Sequence, residues 1–224
     1  MSSPLGTTCL VLAWCLVLSL GWSNLCFAVV AYRRLPAECR QTAATTLGTG
    51  MIMPALVAAP LTLLAAFRSL QVNLLFPVTL FADVWELVGA SLAPALVLFC
   101  ASGLASTLAR EISREYRHWQ HQPFSMLSSS LGKSTPRDLY KLVMGRSLGQ
   151  AWAQVLPWLF GELVVVEAIF NAPGLGLEAW HLARIRDHTG LIQCIGWLAG
   201  LYLICILFTS WSNKRLGQRL ASYG

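Results

Sequence analysis

The feature that most constrains this chain is a set of long stretches without charged residues. The first runs from residue 9 to 32, and none of its 24 residues is Asp, Glu, Lys or Arg. A helix crosses the ~30 Å hydrocarbon core of a bilayer with about 20 apolar residues, each adding ~1.5 Å. The pattern therefore predicts an all-α integral membrane protein.

The charge composition supports the same class of protein. Charged residues make up 12% of the 224 residues, about half of the roughly 25% that is usual in soluble domains. They gather in short blocks between the uncharged stretches, so we interpret residues 1–224 as one transmembrane domain with five spans. The predicted spans are 9–32, 46–67, 87–109, 147–170 and 189–211.

The first stretch resembles a signal peptide only in its position. No basic residue precedes it, its apolar run is longer than that of a signal peptide, and Arg33 and Arg34 follow it directly. We therefore expect a membrane span here and not a cleaved leader.

The basic residues predict the orientation in the membrane. Thirteen of the 16 Lys and Arg residues fall in connections on one side of the five predicted spans, and three fall on the other side. Cytoplasmic connections carry the excess of positive charge in multi-pass proteins. The N-terminus is therefore predicted outside and the C-terminus in the cytoplasm, with residues 110–146 as a cytoplasmic loop and 173–187 as an external connection.

The sequence offers little support for an enzyme. We find no nucleophile–base constellation, no metal-ligand cluster and no C-x-x-C pair among the seven cysteines. The segment 132–134 reads Gly-Lys-Ser, like the end of a Walker A motif, but no glycine stands five residues earlier and no strand precedes it. The net charge of +6 is attributed to membrane orientation, so no nucleic-acid partner is expected.

One stretch carries a specific pattern, from Glu162 to Gly176. Its apolar helix carries two acids and has to end near Pro173 and Gly174, because proline fixes φ and lacks an N–H while glycine admits left-handed angles. The ten residues 167–176 read Glu-Ala-Ile-Phe-Asn-Ala-Pro-Gly-Leu-Gly, and Arg-Asp follows at 186–187. Acids inside membrane helices are costly and are usually functional.

This run resembles the permease subunits of peptide and nickel ABC importers. Their usual form is Glu-Thr-(Val/Ile)-Phe-Ser-Trp-Pro-Gly-Leu-Gly, then Arg-Asp-Tyr-Pro. Here Asn171 and Ala172 replace Ser-Trp, and His188 and Thr189 replace Tyr-Pro. The match is firm from about residue 153 onward, and relatives begin with an extra membrane helix and an external domain that this sequence does not show.

The resemblance implies a multi-pass protein of the bacterial cytoplasmic membrane that works by alternating access. Its implied partners are a second permease, two ATPase subunits that bind ATP and Mg, and an external substrate-binding protein. No cofactor is implied for this chain, and peptide, nickel and metal chelates all remain open as substrates. The alternative is a non-transporting membrane scaffold or assembly subunit that kept the permease fold.

In such importers a cytoplasmic loop docks on the ATPase, and its usual signature is Glu-Ala-Ala-x-x-x-Gly. The glycine corresponds to Gly132, whereas residues 126–128 read Met-Leu-Ser. Thr135 and Pro136 predict a helix start, and an apolar stripe follows at i, i+3 and i+4. The alternative for this helix is contact with lipid headgroups. The candidate coupling residues are Ser128, Ser129, Leu131, Gly132, Pro136, Leu139 and Leu142.

The candidate residues of the transport pathway or gate lie at the end of the fourth span. Glu167 is expected to accept hydrogen bonds from backbone or nearby polar groups. For Glu162, no predicted span contains a Lys or Arg, so its partner is expected to be the companion permease, a proton or a cationic substrate. The full set is Glu162, Glu167, Phe170, Pro173, Gly174 and Gly176.

Overall fold

The computed structural model describes residues 4–31, 55–70, 84–120 and 135–221, and these ranges contain helices and no strand. The all-α prediction is confirmed for this part of the chain. The helices are α1 (Pro4–Ala31), α2 (Ala55–Leu70), α3 (Val84–Ala90), α4 (Leu92–Ala101), α5 (Leu104–Gln120), α6 (Thr135–Phe170), α7 (Leu175–Ile185) and α8 (His188–Ala221).

Three of the helices are long and apolar enough to cross a membrane. They are Pro4–Ala31, Val143–Phe170 and His188–Lys214, which overlap the first, fourth and fifth predicted spans. In α2 the apolar helical part is Leu56–Ala65, which is shorter than a span, and residues 46–54 of the predicted second span lie outside the described ranges. The number of five spans and their orientation stay predictions.

The predicted third span, 87–109, contains a break between two helices. The helix breaks at Ser102 and Gly103, between the segments Leu87–Ala101 and Leu104–Gln120. If this bent pair of segments is one span, the described residues contain four candidate spans. Gly103 has a φ of 72°. Glycine adopts this left-handed angle without the clash that a Cβ would cause, so the chain can change direction there.

Within the predicted cytoplasmic loop, 110–146, the structure describes parts of two helices. Helix α5 continues to Gln120, and α6 begins at Thr135, so only 121–134 lies between them. The helix start predicted at Thr135 and Pro136 is confirmed. Proline fits there because the first N–H groups of a helix have no intrahelical acceptor.

The structure divides into two compact units. The first comprises residues 1–18, 52–103 and 156–205, and the second comprises 19–51, 104–155 and 206–224, so α1, α6 and α8 each contribute a segment to both. In the first unit Leu175, Ala179 and Cys194 form a buried apolar cluster. The indole N–H of Trp14 donates to the carbonyl of Val88 at 3.1 Å, which ties α1 to α3 in this unit.

The second unit has an apolar core around Phe27. The ring of Phe27 packs edge-to-face against Tyr116 at 5.9 Å and against Tyr140 at 5.1 Å, between ring centroids. Edge-to-face geometry suits aromatic pairs because it brings the positive ring edge to the negative ring face. The buried members of this core are Cys26, Phe27, Ala109, Ile112, Tyr116, Val143 and Met144.

Helix α8 is the least covered of the long apolar helices. Only 6% of its most apolar window is buried, against 39% for the window of α6. Its exposed side chains include Ile192, Ile204 and Leu207, each more than 60% exposed. A contiguous apolar surface of this kind is unfavourable in water, and a bilayer is the environment that removes the cost.

The orientation can be tested with single cysteines in a variant that lacks the seven native ones. Ser129→Cys lies in the segment predicted to be cytoplasmic, and Ala183→Cys lies at an exposed position of α7. An impermeant thiol reagent added to intact cells is expected to label Cys at 183 and to reach Cys at 129 only after permeabilisation. The reverse pattern would overturn the predicted orientation.

Candidate functional site

The candidate site is the turn between α6 and α7. Helix α6 ends at Phe170, and Asn171 takes a left-handed φ of 53°. The N–H of Ala172 then donates to the carbonyl of Glu167 at 2.9 Å. This is the Schellman arrangement, in which the residue after the left-handed position closes the last turn. Pro173 follows, and its missing N–H prevents the helix from continuing.

The side chain of Glu167 caps the next helix. It is fully buried, and its Oε2 accepts a hydrogen bond of 2.6 Å from the N–H of Gly176. The N–H of Leu177 is a further hydrogen-bond partner of the carboxylate. The first N–H groups of a helix lack intrahelical acceptors and carry partial positive charge, so a carboxylate stabilises them.

Thr8 completes the cap from α1. Its hydroxyl donates to Oε1 of Glu167 at 2.9 Å and accepts from the N–H of Leu175 at 2.8 Å. The cap position of α7 itself is Gly174, which makes no side-chain cap bond. Glu167 and Thr8 therefore supply the acceptors that an Asp or Ser at position 174 would normally provide. We call these two side chains and the N–H groups of residues 175–177 the Glu167–Thr8 cap.

Two glycines give the carboxylate its space. A Cβ at Gly174 would overlap the carboxylate of Glu167. A Cβ at Gly176 would lie 2.6 Å from Cα of Val164 and 2.8 Å from Oε2 of Glu167. Real Cβ contacts are longer than this, so both positions require glycine as long as Glu167 occupies its site.

Five of the six candidate gate residues meet in this turn. Phe170 and Glu167 are fully buried. Pro173, which directly precedes Gly174, is half-buried. Glu162 is half-buried on α6, five residues before Glu167. That spacing corresponds to ~140° around a helix, so the sixth candidate faces another direction and is not part of the cap.

Sequence reasoning missed two residues of this site. Thr8 is 159 positions from Glu167, and Cys194 donates through its thiol to the carbonyl of Leu175 at 3.1 Å. Thr7 and Thr8 are adjacent in an uncharged helix, and nothing in their order shows which one meets the turn. Helix α7 fills most of 173–187, which the sequence analysis describes only as an external connection.

The candidate coupling residues are described only in part. Ser128, Ser129, Leu131 and Gly132 lie outside the described ranges. Pro136, Leu139 and Leu142 lie in the first turns of α6, where the backbone is helical. Farther along the predicted stripe, Val143 is fully buried. Contact with an ATPase and contact with lipid headgroups both stay predictions for this segment.

The second unit holds a cluster of charged side chains that the sequence did not indicate. Glu111 and Glu115 are one turn apart on α5 and are 6% and 5% exposed. Arg114 lies 2.7 Å from Glu111, and Arg146 lies 3.6 Å from Glu115. The side-chain amide of Gln154 also donates to Glu111 at 3.2 Å. Burial of carboxylates is costly unless they are paired, and the two arginines provide that pairing.

No model of a protein family matches this chain, and no curated protein matches it. Within the part of the chain that the structure describes, no three His, Cys, Asp or Glu side chains are grouped so that they could hold a metal ion.

The glycines of the turn give a first test of the site. Gly174→Ala and Gly176→Ala are each expected to lower the free energy of unfolding by about 1–3 kcal/mol, because the new methyl group displaces the Glu167 carboxylate or α6. Gly161→Ala, on α6, is the control, since a Cβ there meets nothing within 4 Å. Thermal unfolding in nanodiscs should rank the variants this way, and equal stability of all three would contradict the described packing.

The two adjacent threonines give a second test. Thr8→Val removes one donor to Glu167 and one acceptor for Leu175, at an expected cost of about 1–3 kcal/mol for each buried group left unpaired. Thr7 is equally buried, and among the described residues its hydroxyl has no hydrogen-bond partner.

Thr7→Val is therefore expected to leave the melting temperature unchanged or raise it. Thr8→Ser keeps the hydroxyl and should recover most of the loss. A melting temperature that falls equally for Thr7→Val and Thr8→Val would show that the Thr8 hydroxyl is not the decisive group.

Proposed function

We propose that this chain is the transmembrane permease subunit of an ABC importer of the peptide and nickel group. The observation that carries the proposal is the chemistry of the turn at residues 167–176. The acid, the proline and the two glycines of the motif each have a defined task in one packed turn. The motif on which the resemblance rests therefore forms one packed turn in this chain.

The roles that we propose for this chain and for its partner subunits follow from what the chain contains. The long apolar helices form part of a membrane pathway, while ATP and Mg are bound by two partner ATPase subunits. A second permease completes the pathway in the bacterial cytoplasmic membrane, and an external binding protein delivers a peptide, nickel or a metal chelate. The lipid bilayer covers the remaining apolar surface.

The proposed mechanism is alternating access driven by the ATPases. Helix α6 runs from Thr135, beside the candidate coupling segment, to Phe170 at the start of the turn. Its 36 residues correspond to a length of ~54 Å, which exceeds the thickness of a bilayer. The proposal assigns to α6 the covalent connection between the candidate coupling segment and the turn that holds Glu167.

The competing proposal is a membrane scaffold or assembly subunit. It is favoured by the altered coupling sequence, because Met126, Leu127 and Ser128 stand where the family has Glu-Ala-Ala. A scaffold that does not respond to ATP hydrolysis has no need of that acid. The two proposals differ in whether an ATPase binds the chain.

Purification of the tagged chain from its bacterial membrane separates the two proposals. A permease is expected to bring ATPase subunits with it, with ATP hydrolysis in the purified complex. Gly132→Trp is expected to abolish that recovery while the protein stays in the membrane, because a bulky side chain does not fit a tight docking groove. Gly132→Ala is the control and should retain the ATPase. Recovery of membrane partners without any ATPase would favour the scaffold.

A further inference from the structure

A groove of about 470 Å³ lies between α6 and α8 in the second unit. It is open on one side, so a molecule can enter it laterally. The residues that line it are Ala153 on α6 and Ile206, Thr209, Ser210, Asn213 and Lys214 on α8.

The lining combines a cation with uncharged hydrogen-bonding groups and lacks a carboxylate. Lys214 is exposed and makes no ion pair with any described residue. Ser210 adds a hydroxyl four residues before Lys214 on α8, and Asn213 adds an amide one residue before it. An ammonium group beside hydroxyl and amide donors suits the oxygens of a phosphate.

The polar end of the groove is built by close packing. A Cβ at Gly149 would overlap the side-chain amide of Asn213. Glycine at this position of α6 therefore lets the Asn213 side chain lie against the helix backbone. This fixes one hydrogen-bonding group of the groove.

The groove lies at the end of the fifth predicted span, 189–211, where headgroups are expected to meet hydrocarbon. Lys214 is the first charged residue after this predicted span. Ile206 is eight residues earlier, ~12 Å deeper along the helix, and forms an apolar part of the wall. Trp211 is 51% exposed between these two positions, as is usual for tryptophans at the membrane interface.

We propose that this groove binds one anionic phospholipid. The phosphate lies beside Lys214, with Ser210 and Asn213 as donors to its oxygens, and the first part of an acyl chain lies along Ile206 and Ala153. Basic pockets between membrane helices at the headgroup level bind lipids of this class. The polar and apolar ends of one groove match a phospholipid, whereas free phosphate would use only the polar end. The site is independent of transport and of the partners proposed above.

The test measures binding of phosphatidylglycerol and phosphatidylcholine to the purified full chain by native mass spectrometry from neutral detergent. The wild-type protein is expected to prefer phosphatidylglycerol. Lys214→Gln is expected to reduce that preference about five-fold, the effect of one basic residue near an anionic headgroup. Lys141→Gln removes the same charge at an exposed position of α6 outside the groove and should change little.

Two further measurements distinguish a bound phospholipid from free phosphate. Ala153→Phe narrows the groove without changing any charge, and it is expected to weaken retention of phosphatidylglycerol while far-ultraviolet circular dichroism stays unchanged. Inorganic phosphate at millimolar concentration should not displace the lipid. Equal effects of Lys214→Gln and Lys141→Gln would show general charge attraction and overturn the site. Displacement by free phosphate, or full retention in Ala153→Phe, would overturn the assignment to a phospholipid.

Discussion

The buried carboxylate of Glu167 is the interaction on which the candidate site depends. Its backbone carbonyl closes the end of α6, and its side chain caps the start of α7. A carboxylate at full burial is costly, and the cost is offset here by N–H donors of a helix terminus and by the hydroxyl of Thr8. If the carboxylate moved, the start of α7 would lose its acceptor. The short turn from residue 171 to 174 is therefore held at both ends by one amino acid.

Local signals in the sequence predicted this turn well. Proline and glycine mark the end of a helix because their backbone limits act within one or two residues. The helix start at Thr135 and the three long apolar helices follow from equally local patterns. The partner Thr8 could not be found in this way, because its selection depends on how α1 packs against the turn. A single sequence contains no information that distinguishes it from Thr7.

Two segments show where composition says less than local backbone signals and periodicity do. In residues 87–109, Gly103 allows a break in the helix. Residues 110–120 are polar enough to suggest a loop, yet Leu108, Ile112 and Tyr116 recur every four residues and form a buried stripe of α5. Glu111 and Glu115 lie beside that stripe and are buried with it. Periodicity predicts this helix better than its charge content does.

The space left by Gly174 has a consequence for how this turn can change over evolutionary time. A methyl group at position 174 is unfavourable only because the Glu167 carboxylate occupies the same volume. Shortening Glu167 would vacate that volume, so Ala at 174 should cost less in a protein that already carries Ala at 167. The free energies of unfolding of the two single variants and the double variant are therefore expected to be non-additive. Glycine at 174 is therefore required only while the acid is present, so a larger residue at 174 becomes acceptable after the acid is lost.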